Sequence, residues 1–127
     1  MKKFIYVAMV AVAAFMVSCT KTDGFGNSEY YKNHSLDINI EAGTVNGKAY
    51  DNTTAKCWKI ETKAKVMGIA TVVTTYEWGT QFTVVAANET AIAALSGISK
   101  STYTMTEASE YDDYEKCDAA NQAAKNN

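Results

Sequence analysis

CWKIETKAKVMGIATVVTTYEW, residues 57–78, alternates with a period of two through its first half. Trp58, Ile60, Thr62, Ala64 and Val66 fall on one side, and Cys57, Lys59, Glu61, Lys63 and Lys65 on the other. That is the pattern of a strand with one face in a core and one in water. Gly68 interrupts the run, and extended character rich in Val and Thr resumes from Ile69 to Trp78. The spacing predicts an antiparallel hairpin that turns tightly between Val66 and Ile69, with Ala70, Val72, Thr74, Tyr76 and Trp78 on the core side of its second strand.

Downstream, Gly79-Thr80 has the character of a helix start, because a threonine hydroxyl there accepts a backbone N–H two or three residues on. Val84, Ala87, Ala91, Leu95 and Ile98 recur at steps of three and four in an alanine-rich stretch. One helix over 81–96, closed by Gly97 just past its end, is predicted; a strand over 82–87 followed by a helix is the alternative. Tyr103 and Met105 alternate with threonines over 102–106, which reads as a further strand. Ser109 is expected to cap a helix over 110–124, whose first turn gathers Glu110, Asp112 and Asp113 at the positive end of the helix dipole. Upstream, Leu36, Ile38 and Ile40 alternate with polar residues, and Asn46-Gly47 sits between two short extended pieces. Asn-Gly is a strong hairpin signal because both central residues of a type I′ turn need positive φ. The expected fold class is α+β, an antiparallel sheet of four or five strands with two helices packed on one face and one disulfide.

The N-terminus has a different character. Lys2 and Lys3 precede an uncharged run from Phe4 to Val17, and Ser18-Cys19 closes it. Fourteen residues fall short of the roughly 20 that a membrane-spanning helix needs, so the segment reads as a cleaved export leader. Met16-Val17-Ser18-Cys19 resembles the lipobox of bacterial lipoproteins, with Met16 where Leu is commonest. The resemblance implies removal of residues 1–18 and lipidation of Cys19, which becomes the first residue of the mature chain. With Cys19 taken up by lipid, Cys57 and Cys117 remain as one pair in an exported chain, where disulfides persist. Residues 19–33, polar and without period, read as a flexible lipidated tether, and 34–127 as a single domain. Thr20 follows Cys19, not the Asp that in some bacteria retains lipoproteins at the inner membrane. The expected location is therefore the cell envelope, at the outer membrane, on either its periplasmic or its surface side.

Composition narrows the chemistry. Once Lys2 and Lys3 leave with the leader, 10 lysines face 14 acids, a formal charge of −4, and the chain has no arginine. A mildly acidic chain lacking guanidinium forks is a poor nucleic-acid binder, so no nucleic-acid partner is expected. The one histidine, His34, borders the tether, so no catalytic triad and no His/Cys metal set can be assembled; no catalytic residue, metal or cofactor is expected. The dense acids Glu107, Glu110, Asp112, Asp113, Glu115 and Asp118 lack the alternating spacing of a calcium loop and suit a solvated helix start. Two carboxylates alone suffice for glycoside cleavage, so a carboxylate-only hydrolase stays open. Lys59, Lys63 and Lys65 share one strand face, with Glu61 among them, as solubilising charge or as a seat for an anion.

Val45-Asn46-Gly47-Lys48, Tyr50-Asp51-Asn52-Thr53-Thr54, Cys57-Trp58-Lys59, Trp78-Gly79-Thr80 and the late Cys117 together resemble small exported lipoproteins of unknown function from Bacteroidota. The resemblance implies a compartment and a helix after Trp78, and no chemistry. The leading expectation is a non-catalytic envelope lipoprotein, held to the membrane through lipid on Cys19, whose domain serves structure or binds a protein or glycan. Tyr76 and Trp78 are the candidate partner contacts, Trp78 because a strand-to-helix junction leaves a side chain partly uncovered. The alternatives are an inhibitor that protects against an envelope-targeting enzyme or toxin, and a small carbohydrate-binding or carbohydrate-processing module.

Overall fold

The computed structural model describes residues 26–125. In chain order the elements are α1 (Ser28–Tyr31), β1 (Ile38–Asn39), β2 (Thr44–Val45), β3 (Lys48–Ala49), β4 (Ala55–Val66), β5 (Ile69–Thr80), α2 (Gln81–Ala94), β6 (Lys100–Glu107) and α3 (Tyr114–Lys125). The class is α+β, but the strands divide between two antiparallel three-stranded sheets, β5-β4-β6 and β1-β2-β3, where one sheet of four or five was expected. The small sheet stays separate because β1, β2 and β3 are two residues each and pair only among themselves. Its Asn46-Gly47 turn has φ 54° and 84°, as a type I′ hairpin requires.

The main hairpin turns through Met67 and Gly68, both at positive φ. A two-residue turn leaves one register, and it pairs Cys57 with Trp78 and Lys59 with Tyr76. Directly opposed residues share a face, so Tyr76 and Trp78 lie with Cys57, while Trp58 shares its face with Glu77. This corrects the expected core side of β5 by one residue. On the Trp58 face, Ile60, Tyr103 and Met105 pack against Phe82, Val85 and Ile92 of α2. On the opposite face Cys57, Cys117 and Ala108 form a second cluster with Tyr76, Trp78 and Tyr111. The helices therefore cover both faces of the main sheet, not one. The reason is the odd position of Cys57: its bridge to Cys117 (Cα–Cα 5.6 Å) draws α3 to the side away from α2.

Helix ends follow local chemistry. Thr80 caps α2 by accepting from the Thr83 N–H at 3.2 Å. The alternative of a strand over 82–87 falls away, since Phe82 to Ala87 are helical. The C-terminal cap is Leu95, and Gly97 is not left-handed, so the expected glycine stop does not form. α3 begins later than expected because Asp113, not Ser109, accepts the Lys116 N–H at 2.8 Å. The buried stripe of α2 is Phe82, Val84, Val85, Asn88, Glu89 and Ile92, whereas Ala87, placed on that stripe by spacing, is exposed.

The expected tether is packed from Gly26 onward. The Ser28 hydroxyl donates to the Ser99 carbonyl and accepts the Ser101 N–H, both at 2.9 Å, and Ser28 and Tyr31 are buried. Residues 1–18 and Cys19 lie outside the described residues. No helix among the described residues is long and apolar enough to cross a membrane.

The bridge closes a span of 60 residues. Constraining the unfolded chain over that length contributes about 4 kcal/mol on the chain-entropy model. Cys57→Ser with Cys117→Ser is expected to lower unfolding free energy by about that amount in urea titration. Peptide mapping without reductant is expected to recover Cys57 joined to Cys117; two alkylatable thiols there would refute the staple.

Candidate functional site

Helix α2 carries two adjacent polar residues, Asn88 and Glu89, in the stripe it turns towards the main sheet, and both are nearly inaccessible. An ionised carboxylate in that position costs several kcal/mol unless donors meet it. Here the Tyr31 hydroxyl from α1 and the Tyr103 hydroxyl from β6 each donate to one Glu89 oxygen. Asn46, in the turn of the small sheet, donates in turn to the Tyr31 oxygen at 2.7 Å. Its own side-chain oxygen accepts the Asp37 N–H at 3.0 Å. Glu89 thus ties the N-terminal helix, the small sheet, α2 and the main sheet through one carboxylate.

The electrostatics follow from this burial. Desolvation pushes the Glu89 carboxyl upward, and the two tyrosine bonds pull it partly back. Burial and the neighbouring Glu89 charge hold the Tyr31, Tyr50 and Tyr103 phenols well above their ordinary range, so Tyr31 and Tyr103 stay protonated as the donors to Glu89. Glu77, opposite Trp58, is a second carboxyl on the α2 side, pushed up to about 7 by desolvation against a weaker pull from Asn88.

A cavity of about 220 Å³ opens beside Glu89, lined by Tyr30, Tyr31, Tyr50, Asn27, Asn46 and Val45 among others. The Lys48 ammonium stands 5.6 Å over the Tyr50 ring at this cavity. Aromatic walls with amide groups suit a small hydroxylated ring that stacks and hydrogen-bonds, and the volume lies below the roughly 300–1,000 Å³ of drug-sized sites. Gly26 is required here: its φ is +66°, and a Cβ on it would stand 1.7 Å from the Tyr103 ring.

The residues singled out by sequence lie elsewhere. Tyr76 and Trp78 are half-buried around the bridge, Tyr76 edge-on to Tyr111 at 5.5 Å. Trp78 lines a smaller cavity of about 150 Å³ with Tyr111 and Glu107. The Tyr76 N–H on the edge of β5 is taken by the Asn121 side chain of α3 at 3.0 Å. His34 is exposed, stacked on Tyr30, with Nδ1 at 2.8 Å from the Tyr30 carbonyl. Among the described residues no three His, Cys, Asp or Glu side chains converge as a metal set. The Glu89 cluster escaped the sequence reading because Glu89 looks like a solvent residue. Its signal was positional: Phe82, Val85, Glu89 and Ile92 recur at steps of three and four, with an acid where an apolar residue belongs.

No family model, curated protein or solved structure matches the chain.

Glu77 makes stability depend on pH in an uncommon direction. The folded state keeps a proton that the unfolded chain releases between 4.5 and about 7, so stability is highest below that window and falls as pH rises through it. Denaturant titrations between about pH 5 and pH 8 are expected to show a loss of about 1–2 kcal/mol, after discounting for partial exposure. Glu77→Gln should flatten the slope, and Glu89, shifted the same way, leaves a residual one. A stability that rises across this range would refute the assignment.

Proposed function

We propose that the chain is a cell-envelope lipoprotein, anchored through Cys19, whose disulfide-stapled domain is a non-catalytic binding module for an envelope protein or glycan. The observation that carries the reading is the fully buried Cys57–Cys117 bridge, each cysteine 1 % exposed. A structural bridge of that kind belongs to an oxidising compartment, as the export leader also implies. The Glu89 cavity supports binding over hydrolysis. One carboxylate lines it, and both its oxygens already accept tyrosine hydroxyls, whereas glycoside cleavage needs a second carboxylate across the substrate.

The tyrosine rings and amides that line that cavity favour a glycan residue as ligand, which is the specific ground for a carbohydrate-binding reading. Tyr76 and Trp78, partly covered at the bridge end of the sheet, are the second candidate contact.

Cys19→Ala is expected to move the protein from the membrane fraction to the soluble fraction of fractionated cells; unchanged retention would refute the anchor. Titrating the protein with mono- and oligosaccharides is expected to perturb the Tyr30, Tyr31 and Tyr50 ring resonances, with Tyr50→Ala weakening binding about tenfold or more. Release of new reducing ends from any polysaccharide would overturn the non-catalytic reading.

A further inference from the structure

The end of the main hairpin remote from α3 has a composition that the fold itself does not use. Met67 occupies a positive-φ turn position that favours Asn or Gly, and its side chain is 94 % exposed. Ile69 and Ile98 beside it are 69 % and 73 % exposed. An apolar side chain at a strained turn position, packed against nothing, gains the fold no stability.

Around this apolar tip stand lysines from three elements. Lys32, Lys65 and Lys100 border one groove of about 360 Å³ together with Met67 and Ile98. Lys65 and Lys100 are directly opposed across β4 and β6, a like-charge pairing that disfavours the sheet. Lys63 lies two residues further along the same face, and the carboxylate paired here is Glu29, 2.8 Å from Lys100. The acids gather at the other end: β6 runs from Lys100 to Glu107, roughly 23 Å, and Glu110, Asp112 and Asp113 follow. The charge is thus polarised along the sheet, basic at the apolar tip and net acidic beyond the bridge, where Lys56 and Lys116 pair with Glu107 and Asp112 but Glu110 and Asp113 add further negative charge.

The anchor lies within reach of that tip. Gly26 sits against Tyr103, which pairs with Thr62 on β4, five residues before the turn residue Met67, or about 17 Å. From Cys19 to Gly26 the chain spans at most about 25 Å.

We propose that the Met67 tip is a membrane-docking surface. Met67, Ile69 and Ile98 enter the interface of an anionic bilayer, and Lys32, Lys65 and Lys100 meet lipid phosphates. This rests on the lipid-anchored reading of Cys19. The lipid confines the domain to the bilayer, and the tip sets its orientation, leaving the acidic end outward.

The test uses full-length lipidated protein in vesicles of phosphatidylglycerol and phosphatidylcholine carrying bromine on their acyl chains, followed by flotation. Met67→Trp, and separately Ile98→Trp, are expected to lose more than half of the added tryptophan emission. Lys65→Glu with Lys100→Glu, or pure phosphatidylcholine, should restore it. A protein that floats while its tip tryptophan is quenched only by a water-borne quencher overturns the docking surface alone. Equal quenching in neutral vesicles, or a tip that cross-links to a protein in the native envelope, also overturns it. A chain that fails to float overturns the anchor and the docking together.

Discussion

A two-residue turn between two twelve-residue strands admits one register, and the rest of the architecture depends on it. Because Met67 and Gly68 take the turn, Cys57 faces the same side as Tyr76 and Trp78, while Trp58 faces the same side as Glu77. The disulfide then has to leave the sheet on the side opposite α2, so α3 and its residues build a second, smaller core. A register shifted by one residue would exchange the two faces, setting Lys59, Lys63 and Lys65 against Phe82 and Ile92. The same constraint accounts for a central strand, β4, with a neighbour on each side and a helix over each face.

Where the main sheet meets the small one, the unifying interaction is polar. Glu89 replaces an apolar residue in the α2 stripe and accepts hydroxyls from Tyr31 and Tyr103, with Asn46 behind Tyr31. A buried carboxylate contributes little net stability compared with an apolar side chain of the same size, but leaving it without donors is expensive. It therefore enforces the docking of α1 and of the Asn46 turn, which apolar contact alone would leave less specific. The cavity beside it is a consequence of the same meeting of elements, and its aromatic and amide lining is what makes it a ligand candidate.

Charge is distributed along the long axis of the main sheet, and function is proposed at both ends of that axis and at its flank. The bridge end carries the acids and the partly covered Tyr76 and Trp78, the flank carries the tyrosine cavity, and the hairpin tip carries lysines around exposed apolar side chains.

The sequence by itself determined the elements whose signals are local. The period-two run over 57–66, the Asn46-Gly47 turn with both residues at positive φ, the Thr80 cap and the α+β class were legible there, because each is set by a few neighbouring residues. The Cys57–Cys117 pairing was legible too, once one cysteine of three was assigned elsewhere. What only the tertiary structure decided are relations between distant residues. The face taken by Tyr76 and Trp78 depends on the register, the start of α3 on which of several polar residues wins the cap, and the packing of Ser28 on Ser99 and Ser101 on contacts some seventy residues away. The Glu89 site lay beyond local reading for the same reason: residues 31, 46, 89 and 103 satisfy one another only when four separate elements converge, and no short stretch of chain contains the donors that make a buried acid acceptable.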